Sequence, residues 1–113
     1  MIAKKYRLPS NFFLRDRRTV LRKNESAFLL IKTYASEVPY RRFAVIVSKK
    51  SASSAVARSK IRRFIYERVR RAGGWALGRE DVVVTVKRDF VNLLRFQPTE
   101  ALTVCDRINE TTG

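Results

Sequence analysis

The stretch that decides the fold is residues 42–67, RFAVIVSKKSASSAVARSKIRRFIYE. It opens with Arg42–Ser48, which is β-branched and apolar on both sides of the strand alternation, so it predicts a central strand covered on two faces. Lys49 and Lys50 end that strand abruptly, and a loop of small residues follows. A helix comes next, because apolar residues recur at helical spacing before Gly73-Gly74 stops it. These residues are Ala57, Ile61, Phe64, Ile65, Val69 and Ala72.

Outward from this stretch, turn signals and apolar periodicity predict the remaining elements. In chain order they are a short helix that begins near Phe12, a strand that opens at Thr19, a turn at Asn24-Glu25, a strand over Ala27–Tyr34, a strand within Gly78–Lys87 and a helix over Pro98–Ile108. The order α-β-β-β-α-β-α predicts an α+β sandwich, with helices on a central, mostly antiparallel sheet. Residues 1–113 are expected to form a single domain.

The charge of the chain is strongly positive and unevenly placed. The 113 residues carry 25 Lys and Arg against 10 Asp and Glu, a net charge of +15. Residues 1–23 hold eight basic residues and one acidic residue, and residues 49–71 hold nine and one, so these two segments account for the whole excess. Charge concentrated in this way indicates a binding surface for a polyanion, and nucleic acid is the expected partner.

Composition also excludes several classes of function. With Cys105 as its one cysteine and no histidine, the chain has no internal disulfide, no Ser-His-Asp or Cys-His nucleophile and no Cys/His zinc site. We therefore predict no catalytic residue and no metal ligand in the protein. Asp81 and Asp89 flank the last strand, and we interpret them as turn or capping residues. No apolar run is long enough to span a bilayer, so we expect a soluble, cytoplasmic protein without a membrane partner.

The basic helix is the densest functional signal. Arg58 and Arg62 are four residues apart, as are Ser59 and Arg63, so their side chains are predicted to share a face turned away from the apolar stripe. Such a face suits a row of phosphates, and the N-terminus of the helix near Ala55 adds N–H donors beside the two lysines. The alternative is a basic helix that is only solvated or lies on a membrane surface.

Residues 42–67 also resemble the protein component of bacterial ribonuclease P. In that family a central strand ends in Ser-Lys-Lys, and a helix carrying Arg-Asn-Arg-Ile-Lys-Arg follows. Seven residues match outright: Ser48, Lys49, Lys50, Arg58, Ile61, Arg63 and Glu67. Lys60 and Arg62 preserve the family's charge, whereas Ser59 stands in place of Asn and Tyr66 in place of Arg.

The resemblance implies a fold and a function. The implied fold is that of the second domain of the fifth small-subunit ribosomal protein, with a left-handed βαβ crossover through the basic helix. The sequence alone favours the usual right-handed crossover. The implied function is to bind the catalytic RNA and the 5′ leader of precursor tRNA, while the RNA with Mg²⁺ removes the leader. The chain would then be the subunit of a ribonucleoprotein endoribonuclease and would not require a protein oligomer.

The resemblance also implies two sets of site residues. The RNA-binding set is Ser48, Lys49, Lys50, Arg58, Ser59, Lys60, Arg62, Arg63 and Tyr66. The leader-binding cleft would use Phe12, Phe13 and Ile31, because aromatic faces stack on unpaired bases of any sequence; core packing is the alternative for both phenylalanines. Two rival functions are a structural RNA-binding protein of the ribosome or a similar particle and, less well supported without clustered carboxylates, an independent nuclease.

Overall fold

The computed structural model describes residues 20–35, 41–71 and 80–112, which form four strands and three helices. These are β1 (Val20–Glu25), β2 (Leu29–Ala35), β3 (Arg42–Val47), α1 (Ala55–Arg71), β4 (Glu80–Val86), α2 (Arg88–Phe96) and α3 (Pro98–Thr112). The predicted strands and the helices now labelled α1 and α3 are confirmed, with small shifts at their ends. The predicted first helix near Phe12 and the stop at Gly73-Gly74 lie outside the described residues.

The four strands form one mixed sheet in the order β1-β2-β4-β3. β1 pairs with β2 and β2 with β4 in antiparallel fashion, whereas β3 and β4 are parallel. The prediction of an α+β fold on a mostly antiparallel sheet is confirmed. The prediction that Arg42–Ser48 is the central strand is wrong, because β2 and β4 hold the interior positions and β3 lies at an edge of the described sheet. An edge strand with both faces covered shows the same apolar pattern as an interior strand.

The parallel pair β3 and β4 requires a crossover connection, and α1 lies within it. This arrangement is the βαβ unit that the resemblance implies, and the handedness of the crossover stays a prediction. α1 begins after Ser54, whose hydroxyl accepts a hydrogen bond from the Ala57 N–H at 3.3 Å and whose carbonyl accepts one from the Arg58 N–H at 3.0 Å. Ser54 is therefore the N-cap of the basic helix.

The main core lies between the helices and one face of the sheet. Strand alternation places Phe43 and Val45 of β3 on this face, where they are buried together with Ile61 and Ile65 of α1. α2 and α3 complete the cover, with the side chain of Phe90 fully buried. The opposite face carries a smaller cluster: Ala44 and Val83, with Tyr34 and Ile46 packed against them. The core fixes β3, β4 and α1 together, and the predicted RNA-binding residues lie on α1 and directly after the end of β3.

Two local predictions need correction. The turn predicted at Asn24-Glu25 is wrong, because both residues belong to β1 and the chain reverses after them. Ser26 makes that reversal: its hydroxyl accepts hydrogen bonds from the N–H groups of Phe28 and Leu29, both at 3.2 Å. A serine hydroxyl that accepts from nearby N–H groups stabilises a turn without glycine or proline.

The helix α2 was not predicted, and the two aspartates beside it have roles other than those expected. Asp89 lies in the first turn of α2, where a carboxylate interacts favourably with the helix dipole, but it is not the N-cap. Asp81 is fully buried in β4 and accepts hydrogen bonds at 2.9 and 2.8 Å from Arg42, so it belongs to an ion pair and not to a turn. None of the three described helices is long and apolar enough to cross a membrane.

Candidate nucleic-acid interface

The Ser-Lys-Lys segment forms a tight turn at the end of β3. The carbonyl oxygen of Ser48 accepts hydrogen bonds from the N–H groups of Ser51 and Ala52 at 3.1 and 3.0 Å. The hydroxyl of Ser51 also donates to the carbonyl of Val86 at 3.1 Å, which ties the turn to the end of β4. Lys49 and Lys50 are exposed at the top of this turn. Their ammonium groups are thus presented to solvent from a backbone that hydrogen bonds hold in place.

Two arginines clamp the same turn from either side. Arg58 of α1 donates through Nη1 to the carbonyls of Ala52 and Ser53 at 3.0 and 2.8 Å. Arg88 of α2 donates to the carbonyl of Lys50, at 3.3 Å through Nε and 2.8 Å through Nη2. Both guanidinium groups therefore support the turn over residues 48–53, called the lysine turn below, by binding its backbone oxygens.

These two arginine contacts correct one prediction, on Arg58, and add Arg88 to the residues of the site. Arg58 was predicted to share an outward face with Arg62, but it is half-buried and its guanidinium points at the loop before α1. Arg88 was missed, because nothing near it in the sequence marks it as a partner of Lys50. The available signal was topological: carboxyl ends of neighbouring parallel strands meet at one edge of a sheet, so a basic residue after β4 lies beside the end of β3.

The remaining cations of α1 divide between two faces. Arg62 donates to the hydroxyl of Ser59 at 3.1 Å, so these two predicted residues are neighbours on the helix surface. Lys60 and Arg63 are exposed and lie on the side of α1 that faces α3, where Arg71 joins them along a groove. The structure thus joins Arg62 to Ser59 by a hydrogen bond and places Lys60 and Arg63 along the groove beside α3.

Two predicted site residues lie in the core. Tyr66 is only 9% exposed, and its hydroxyl donates to the carbonyl of Phe43 at 3.4 Å, so it packs against β3 and does not reach an RNA surface. Ile31 is 3% exposed on the helix-covered face of the sheet, so a direct contact with an RNA leader does not fit its position. Strand alternation places Tyr34 on the other face. Phe12 and Phe13 lie outside the described residues.

Several basic residues are neutralised within the protein. Arg68 makes a two-point contact with Asp106 at 2.8 and 2.9 Å, and this hydrogen-bonded carboxylate raises the pKa of Arg68. Arg70 donates to Glu67 at 2.9 Å, and this hydrogen bond is the largest of the contributions that lower the pKa of Glu67 to about 2. These pairs are internal and leave little charge for a partner.

Other cations have no such partner. Within the part of the chain that the structure describes, seven cations of the lysine turn and α1 make no ion pair: Lys49, Lys50, Arg58, Lys60, Arg62, Arg63 and Arg71. Arg58 and Arg62 instead donate hydrogen bonds to oxygens of the protein. Their placement on one turn and one helix concentrates positive charge at the crossover between β3 and β4. A strip of unpaired ammonium and guanidinium groups binds phosphates by charge and by hydrogen bonds.

Comparison with known proteins identifies the family. The profile of the Ribonuclease P family matches residues 3–105, which is most of the chain. This chain belongs to the ribonuclease P family. The chain is therefore a ribonuclease P protein subunit, with the RNA-binding and tRNA-processing role of that family in an endoribonuclease complex. None of the curated proteins matches it significantly.

Solved structures of ribonuclease P proteins share the fold. The protein from Staphylococcus aureus is 21% identical, with a TM-score of 0.72 over 96% of this chain and 98% of that chain. The protein from Thermotoga maritima is 18% identical, with a TM-score of 0.72 over 95% of this chain and 98% of that chain. A mutant of the S. aureus protein described as defective in mRNA degradation is 19% identical, with a TM-score of 0.75 over 95% and 87% of the two chains.

Proposed function

We propose that this ribonuclease P subunit binds the catalytic RNA of the enzyme through its lysine turn and the exposed cations of α1. The observation that carries this proposal is the rigid presentation of Lys49 and Lys50. Ser51, Arg58 and Arg88 hold the turn from three directions, each through a hydrogen bond to or from the backbone. Because the backbone of the turn is already ordered, its lysines bind a phosphate without the entropy cost of ordering a loop.

The proposed division of labour places the chemistry on the RNA. The chain contains no histidine, and burial raises the pKa of the Cys105 thiol to about 12, so this thiol is neither a base nor a nucleophile. The described residues contain no group of three or more His, Cys, Asp or Glu side chains that could hold a metal ion. We therefore assign Mg²⁺ to the RNA and the substrate, and to the protein the task of lowering repulsion between two polyanions.

Precursor tRNA is the proposed substrate, and its 5′ leader is the part that the protein contacts. Tyr34 and Lys32 lie on the sheet face opposite the helices, and both are half-buried, so aromatic and cationic surface is present there. We propose that this face, together with Phe12 and Phe13, holds the leader in a cytoplasmic holoenzyme. Ile31 is excluded from the contact by its burial.

Reconstitution tests the proposal. Purified protein is added to a bacterial ribonuclease P RNA at low Mg²⁺, and 5′ cleavage of a precursor tRNA is followed. We expect cleavage only when protein and RNA are both present. The double variant Lys49→Ala/Lys50→Ala should bind the RNA more weakly, with a shallower salt dependence by about 2 units. Arg70→Ala is the matched control, because Arg70 is an α1 cation already paired with Glu67.

The outcomes separate the proposal from its rival. Stimulated cleavage that the lysine variant loses and Arg70→Ala retains supports the assigned surface. A protein that neither binds this RNA nor stimulates cleavage would overturn the proposal. For the leader, Phe12→Ala and Phe13→Ala should weaken binding of precursor tRNA and spare mature tRNA; equal effects on both would contradict a leader contact.

A further inference from the structure

A groove between α1 and α3 remains outside the lysine turn and the proposed leader cleft. Its volume is about 390 Å³, within the range of small-molecule sites, and it is open to solvent. Phe64 of α1 and Leu102 of α3 supply its apolar lining. Both side chains are half-buried, so each leaves apolar surface uncovered in the groove.

The charge around this groove is positive and largely unpaired. Lys60, Arg63 and Arg71 line it and make no ion pair within the described residues. The two other charged residues of the lining are already engaged, since Glu67 accepts from Arg70 and Arg68 binds Asp106. An occupant should therefore carry negative charge and also present an apolar face to Phe64 and Leu102.

We propose that this groove binds an unpaired nucleotide of the RNA partner. A nucleotide joins a phosphate, which the three cations would contact, to a flat base that packs on aromatic and aliphatic side chains. A base within a duplex has both faces covered by its neighbours, so only an unpaired base can enter. The inference rests on the proposed function, which it deepens by naming Arg71 and Leu102 as further contacts.

Phe64 and Leu102 differ in their use as probes. Phe64 also packs against the buried Phe90, with ring centroids 6.5 Å apart, so its removal would disturb the core. Leu102 lies on the side of α3 that faces the groove and is only half-buried, so Leu102→Ser removes the apolar contact at small cost to folding. Leu102→Met keeps apolar surface there and serves as the conservative variant.

The test compares single-stranded RNA oligonucleotides with abasic oligonucleotides of the same length and charge, by fluorescence anisotropy across a salt series. Because Leu102→Ser removes apolar surface that would pack on the base, this variant should bind the intact oligonucleotide about fivefold more weakly and the abasic one unchanged. Leu102→Met should restore binding. Arg71→Gln should lower the salt slope by about 0.7, whereas Arg95→Gln, which removes an exposed cation of α2 outside the groove lining, should change it less.

Three results would overturn the nucleotide site. The first is that Leu102→Ser weakens binding of intact and abasic RNA equally. The second is that Arg71→Gln leaves the salt slope unchanged. The third is self-association of the wild type that Leu102→Ser abolishes, which would make the groove an interface between copies. The same variants are assayed for stimulation of cleavage. Wild-type protein that stimulates cleavage but shows none of the predicted base dependence refutes this inference alone, whereas wild-type protein without stimulation refutes the proposed function.

Discussion

Replacing Arg88 by alanine tests whether a cation of the basic surface acts by positioning a turn or by touching RNA. Arg88 lies at the start of α2, and its guanidinium donates twice to the carbonyl of Lys50. The contact at 3.3 Å is long and the one at 2.8 Å is good, so we count one effective hydrogen bond, worth about 1 kcal/mol in an exposed setting.

The expected effect on RNA binding follows from that value. If the turn loses the bond, the RNA must order Lys49 and Lys50 on binding, and 1 kcal/mol corresponds to about fivefold weaker affinity. Because Arg88 is assigned no phosphate, the slope of log affinity against log salt should stay that of the wild type. Lys50→Ala should instead lower the slope by about 0.9.

The assay is equilibrium binding to ribonuclease P RNA across a salt series, with amide hydrogen exchange as a second readout. In Arg88→Ala the N–H groups of Ser51 and Ala52, which bond to Ser48, should exchange faster. Arg95→Ala is the matched control, since Arg95 is an exposed cation of the same helix that lies over the ring of Phe96 and does not contact the turn. A slope lowered by about 0.9 in Arg88→Ala, with unchanged exchange in the turn, would refute the positioning role.

Three further predictions concern stability and reactivity. Ile65 is fully buried, so Ile65→Ala should lower the free energy of unfolding by about 2–5 kcal/mol in a urea titration. Val56 is 64% exposed, so the control Val56→Ala should change it by less than about 0.5 kcal/mol. Equal losses in the two variants would contradict the assigned core. The pKa of Glu67 is lowered from 4.5 to about 2, with the hydrogen bond from Arg70 as the largest cause, so their contact stabilises the fold above pH 4.5 and is lost as the pH falls towards 2. Glu67→Gln should therefore show a flatter acid limb of stability, and superimposable limbs would refute the pair. The thiol of Cys105 should react slowly with a disulfide reagent at pH 8 in the native protein and fast in urea; rapid native reaction would argue against its burial.

Elements with a long, regular period were predicted well. α1 follows from the spacing of Ile61, Ile65 and Val69, and β4 from its run of valines, because each pattern is local and is dictated by burial of one or both faces. α2 was missed because it spans only nine residues and has no side-chain cap at Lys87. Its boundary is set by contact with the end of β4, which a local pattern does not contain.

Positions within the sheet were harder to predict than the strands themselves. The apolar run of β3 indicates cover on both faces, but covering elements above and below the sheet say nothing about a neighbour at the edge. Tyr66 shows the same limitation in the helix. Tyr66 belongs to the predicted RNA-binding set because it stands where the family has Arg, whereas its ring packs on β3 and its hydroxyl donates to the carbonyl of Phe43.

The amino-acid sequence by itself determined the class of partner and the chemistry that the protein lacks. A net charge of +15 concentrated in two segments indicates an anionic partner, and a chain without histidine lacks the side chain most often used as a general acid or base. Only the tertiary structure decided which cations remain available. Arg88 and Arg68 find their partners 38 residues away along the chain, at Lys50 and Asp106, so their engagement depends on how the helices pack on the sheet. A guanidinium binds whichever carbonyl, carboxylate or phosphate the fold brings within reach, and this is a property of the assembled molecule.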